Sequence, residues 1–107
     1  MNKFILTYLG NTPHNMSPEE GKKHMQDYHN WLQNLGEAVV SPANPIKDTH
    51  VVKPNGEVTK GGDSTMSGYT IVQADTIEDA IAMAKNCPYV TVGGTIEVSQ
   101  LIQMKGQ

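Results

Sequence analysis

The strand-forming stretches of this chain carry large apolar side chains on both parities, and only two amphipathic helices are available to cover them. In the opening stretch Phe4, Leu6 and Tyr8 alternate with Ile5 and Leu9; in a later one Tyr69 and Ile71 alternate with Val72 and Ala74. Successive side chains of a strand point to opposite faces of a sheet, so a sheet built from these stretches is apolar in part on both faces. Two helices shelter one face. A chain of 107 residues is the length of one domain and has no spare element for the other face. Bare to water, that face would be too large an apolar patch for a stable monomer. The expected lid is the same face of a second copy, in a two-fold homodimer.

The helices are clearly punctuated. After a strand at residues 3–9 and a loop at 11–15, Ser17 marks an N-cap, Pro18 the first helical position and Glu20 the third residue of a capping box. Gly36, following Leu35, is a left-handed terminator. At about 100° per residue, Met25, Tyr28, Trp31, Leu32 and Leu35 fall on one stripe with His24 inside it. Lys22, Lys23, Gln26, Asn30, Gln33 and Asn34 lie opposite. A short second strand at 37–40 is expected to break at Ser41-Pro42-Ala43-Asn44-Pro45, with extended structure resuming over 46–53. Asn55-Gly56 signals a hairpin whose turn would take both residues at positive φ. A strand at 68–74 follows, and Asp75-Thr76-Ile77-Glu78 opens a second helix with capping-box spacing. Ile77, Ala80, Ile81 and Ala84 form its apolar face, Cys87-Pro88 stops it, and residues 95–104 give the last strand. The order β-α-β-(hairpin)-β-α-β predicts one α+β domain over residues 1–107, a ferredoxin-like split βαβ antiparallel sheet with both helices on one face.

Charge and composition narrow the partners. Eight basic residues against eleven acidic ones give a net charge of −3, which argues against a nucleic-acid surface. All eight basic residues are Lys, so the planar fork that grips carboxylate or phosphate in two places is missing. No apolar run is long enough for a membrane span, and the opening residues lack the core and cleavage site of a signal peptide. The single cysteine, Cys87, excludes an internal disulfide and points to a reducing, cytoplasmic setting. No metal site is expected: His14, His24, His29 and His50 include no pair at i, i+4 and there is no Cys/His cluster. Nor does any glycine-rich phosphate loop or other cofactor signature occur, so no cofactor is implied.

Candidate chemistry centres on His24. A histidine on the inner stripe of a helix titrates near neutrality and can serve as general acid or base; the plainer reading is a rim histidine bonded to backbone. Asp63, the carboxylate of a Gly-rich loop, could fold toward His24 as its orienting partner or simply hold its own turn. Tyr28, beside His24 on the stripe, is a candidate ligand contact. Tyr69 and Gln73 share strand parity and, with Glu97, could floor a mixed polar and apolar pocket on the sheet face away from the helices; a dimer interface explains them as well. Asp48 and His50 alternate along an extended stretch and could share a face.

The stretches 66–75 (Met-Ser-Gly-Tyr-Thr-Ile-Val-Gln-Ala-Asp), Glu78-Asp79-Ala80, Ala84-Lys85-Asn86-Cys87-Pro88 and Gly93-Gly94-Thr95-Ile96-Glu97-Val98 together resemble the YCII-related (DGPF) domain family. The opening strand, the Ser17-Pro18-Glu19-Glu20 helix start and Trp31 to Gly36 fit as well, so the resemblance covers essentially the whole chain. It implies a dimeric α+β barrel and no settled activity; a few relatives are linked to dehydrochlorination of hydroxylated aromatics, and others occur beside or fused to sigma factors. Where many members carry Asp-Gly-Pro-Phe this chain has Gly61-Gly62-Asp63-Ser64-Thr65-Met66, and where many end in Glu-Val-Arg-Pro it reads Glu97-Val98-Ser99-Gln100. Catalytic relatives suggest a His on the first helix and an Asp on the next strand; His24 matches the former, and residues 37–40 hold no Asp. Two functions follow. One is a small-molecule-binding protein acting as a cofactor-independent lyase or isomerase through His24. The other is a non-catalytic dimeric sensor or interaction module. They part on whether His24 meets a carboxylate in an open pocket.

Overall fold

A computed structural model describes residues 1–10, 17–61 and 66–102. In chain order the elements are β1 (Asn2–Leu9), α1 (Pro18–Leu35), a 3-10 turn (Gly36–Ala38), β2 (Val39–Pro45), β3 (His50–Val52), β4 (Val58–Lys60), β5 (Met66–Ala74), α2 (Ile77–Lys85), α3 (Pro88–Thr91) and β6 (Thr95–Gln100). Four strands form one sheet in the order β2-β5-β1-β6, and each neighbouring pair is antiparallel. This is the split βαβ arrangement the element order predicts. The expected loop at 11–15 with His14, the loop carrying Asp63, and the end of the last strand beyond 102 lie outside the described residues.

Both helices start where the sequence says. The Ser17 hydroxyl accepts from the Glu20 amide at 3.1 Å, and the Thr76 hydroxyl accepts from the Asp79 amide at 3.2 Å. Gly36, at φ 55°, closes α1 by donating its amide to Gln33 and Leu32 carbonyls. The helices lie on the face to which Phe4, Leu6, Thr70 and Val72 point, and all four are fully buried with Cys87. Trp31 of α1 ties the two helices together by donating Nε1–H to the Met83 carbonyl at 3.0 Å. The alternate residues Ile5, Thr7, Leu9, Tyr69, Ile71 and Gln73 stay half-exposed. The thinnest dimension, 18 Å, leaves room for a sheet and one layer of helices of about 10 Å diameter.

Several local expectations are corrected. Residues 41–45 do not break β2; they continue it. Their prolines are tolerated because β2 is an edge strand, and the register slips between Val39 and Ser41 and again between Ser41 and Asn44. Residues 46–49 belong to no strand: Asp48 sits at φ 58° in a bend, and its carbonyl, not its carboxylate, lies 2.8 Å from His50 Nδ1. Asp48 and His50 therefore form a local turn contact and no shared polar face. In the hairpin only Gly56 has positive φ, at 88°. The Gly56 amide donates to the Lys53 carbonyl, so Pro54 and Asn55 occupy an ordinary turn and the glycine takes the left-handed position after it. Met25 is 53% exposed at the rim of the helical stripe. Residues 88–91 add the one-turn helix α3, and β6 ends at Gln100. No helix among the described residues is long and apolar enough to cross a membrane.

Candidate functional site

The double slip of β2 builds the first part of the site. Ser41 pairs with Ile71 and Asn44 with Tyr69, so Pro42 and Ala43 together face one residue, Thr70. The bulge turns the Pro42 carbonyl inward, where Thr70 Oγ1 donates to it at 2.5 Å. Asn44 Nδ2 braces the bulge by donating to Ser41 Oγ at 2.9 Å and to the Tyr69 carbonyl at 3.2 Å.

Thr70 is the polar member of an otherwise apolar buried row, and two tyrosines meet it. The hydroxyls of Tyr8 and Thr70 are 2.5 Å apart, those of Tyr8 and Tyr28 2.9 Å, and those of Tyr28 and Thr70 3.1 Å. Burial disfavours charge on this cluster. It pushes the Tyr8 phenol far above its ordinary range, the Thr70 hydrogen bond opposing only in part, and it raises the Cys87 thiol beside it. Burial thus favours the neutral form of both groups.

A cleft of about 250 Å³ opens beside this cluster, between α1, the β2 bulge and the start of β5. Tyr8, Tyr28, Tyr89 and Gly68 wall it, and His24 and Met25 stand at its rim. A second cleft of about 260 Å³, lined by Glu20, Asp27 and Thr91, touches the other side of His24. The His24 ring is half-buried, with no hydrogen-bond or ion-pair partner among the described residues. The Asp27 carboxylate is taken by Lys23 at 2.8 Å.

The structure thus divides the residues singled out from sequence. His24 and Tyr28 share the cleft. Tyr69 and Glu97 stand on the opposite side of the sheet, where Thr7 pairs with both and separates them. Gln73 is on that face too and donates Nε2–H to the Glu37 carbonyl at 2.8 Å. Asp63 lies outside the described residues. Tyr8, Thr70 and the Pro42 carbonyl were not singled out. Parity could have found the first two, since Tyr8 follows Phe4 and Leu6, and Thr70 precedes Val72 and Ala74, on the helix-facing register. Nothing in sequence announces the Pro42 carbonyl, which depends on the bulge.

Known proteins bear on this geometry. The fold is similar to that of a solved structure of 5-chloro-2-hydroxyhydroquinone dehydrochlorinase from Burkholderia phenoliruptrix AC1100, in complex with 2,5-dihydroxybenzoquinone. The TM-score is 0.56 at 14% identity, over 96% of each chain. A search of the curated proteins found no match. The profile of the YCII-related domain matches residues 4–105, and the chain belongs to that family.

Proposed function

We propose that this protein binds a single-ring aromatic ligand in the cleft between α1 and the β2 bulge, and that His24 moves a proton on it. The observation that carries the reading is the coincidence of a half-buried imidazole with an aromatic-walled cleft of about 250 Å³. A cavity of ~150 Å³ accepts a benzene ring, so this one suits a substituted ring and little more. The small hydroxylated quinone bound by the similar solved structure supports that size class. In the proposed step neutral His24 accepts a ring hydroxyl proton, and the imidazolium returns it to a ring carbon. The product is the keto tautomer, and neither redox change nor cofactor is involved. Asp63 is assigned no part in this step.

Deuterium exchange at the ring carbons of 1,3-dihydroxybenzene tests it. Wild type is expected to accelerate exchange over buffer, and His24→Gln to reduce that acceleration by about 100-fold or more, in the usual range for a lost acid/base group. Binding of the ring by His24→Gln should stay within about threefold. Binding without any accelerated exchange would refute proton transfer and leave a ligand sensor, the reading favoured by the absence of a carboxylate partner for His24 among the described residues.

We also propose that the helix-free face is covered by a second copy. Tyr69, Ile71 and Ile5 are half-exposed there. The β3–β4 hairpin also presents the paired Val52 and Val58, 71% and 57% exposed. Sedimentation at micromolar concentration should give about 23 kDa, twice the 11.7 kDa of the chain; a monomer mass would contradict the pairing.

A further inference from the structure

Counting protons in the hydroxyl cluster fixes which way its outermost member faces. Tyr8, Tyr28 and Thr70 bring three hydroxyl protons, and five short oxygen contacts compete for them. A carbonyl cannot donate, so the 2.5 Å contact between Thr70 and Pro42 must use the Thr70 proton. With that proton spent, the 2.5 Å contact between Tyr8 and Thr70 must use the Tyr8 proton. Three contacts of Tyr28 remain, at 2.9 Å to Tyr8, 3.1 Å to Thr70 and 3.4 Å to the Pro42 carbonyl, and only the Tyr28 proton is left to serve them. Were Tyr28 to donate outward, all three would become approaches of lone pairs with no proton between them. The Tyr28 proton is therefore directed into the protein, and no hydroxyl of the cluster donates to the Tyr28 oxygen.

Tyr28 also walls the cleft. We propose that Tyr28 determines specificity there as an acceptor: its oxygen takes a hydrogen bond from a hydroxyl on the ligand ring, and a ring that can only accept finds no donor in it. The inference rests on the cleft being the ligand site, and it adds the polarity of the ligand to that reading. Thr70 and Tyr8 act as positioning residues, since they fix the direction of the Tyr28 proton without touching the ligand oxygen themselves.

The test uses 1,3-dihydroxybenzene, which donates, and acetophenone, which only accepts, titrated into wild type and Tyr28→Phe. One neutral hydrogen bond corresponds to about a fivefold change in affinity. Tyr28→Phe is expected to weaken 1,3-dihydroxybenzene about fivefold and to leave acetophenone within about twofold. An equal effect on both rings, a larger effect on acetophenone, or no effect on bound 1,3-dihydroxybenzene would overturn the acceptor role while leaving the cleft reading intact. If wild type binds neither ring, the cleft reading fails and this inference with it. Should Tyr28→Phe not fold, methyl ethers decide the matter on wild type. There 3-methoxyphenol, with one donor left, should bind at least fivefold more tightly than 1,3-dimethoxybenzene, and equal binding of the two would overturn the proposal.

Discussion

Gly94→Ala is expected to destabilise the fold by about 3 kcal/mol, the upper end of what overpacking a well-filled core costs. A Cβ at Gly94 would lie 2.3 Å and 2.4 Å from ring carbons of Tyr89 and 2.7 Å from the Tyr89 carbonyl oxygen. Neither neighbour can retreat cheaply. The Tyr89 hydroxyl donates to the Leu9 carbonyl at 2.5 Å, its ring packs 5.3 Å from that of Tyr8, and its carbonyl accepts the Gly94 amide at 2.9 Å. In a domain of this size the loss corresponds to a fall in Tm of about 12 °C. The single tryptophan, Trp31, reports the transition by fluorescence. Gly21→Ala is the matching control, because a Cβ there meets open space on α1 and removes a helical glycine. It should leave Tm unchanged or raise it. A Gly94→Ala protein melting with wild type would mean that Tyr89 is not clamped.

Trp31→Ala should cost more, about 3–5 kcal/mol, the range for emptying a large aromatic site. Trp31 is 6% exposed, bonds α2 through the Met83 carbonyl and lies 5.5 Å from the Tyr28 ring. Losing it uncouples the two helices and removes the support under one wall of the cleft. Urea unfolding followed by far-UV circular dichroism measures the loss. Trp31→Phe keeps most of the apolar volume and gives up only the hydrogen bond, so its cost should be about 1–2 kcal/mol. A Trp31→Ala protein within 1 kcal/mol of wild type would show that the helices are held by other contacts.

What was legible in the sequence was whatever short-range chemistry decides. Ser17-Pro18 and Thr76 start the helices through caps a few residues long, and the alternation of Phe4, Leu6 and Tyr8 with Ile5 and Leu9 sorts β1 into a covered and an open face. The path of β2 was not legible, because Pro42 and Pro45 read locally as breakers. They are admitted to the sheet only because topology puts β2 at its edge. The same limit governs the site. His24 and Tyr28 are one helical turn apart on α1 and are visible together, whereas Thr70 and the Pro42 carbonyl reach Tyr28 through a register slip that no local pattern encodes. Tyr69, Gln73 and Glu97 share the sheet face that their parity suggests, and the sheet stands between them and His24.

An amide chemical-shift titration of the 15N-labelled protein with 1,3-dihydroxybenzene asks directly which side of the sheet receives a ligand. Saturable shifts confined to His24, Met25, Tyr28, Ser67 and Gly68, with Thr7, Gln73 and Glu97 unmoved, are the expected result. Shifts centred on Thr7, Tyr69 and Glu97, or none at millimolar ligand, would contradict the placement of the site between α1 and the β2 bulge.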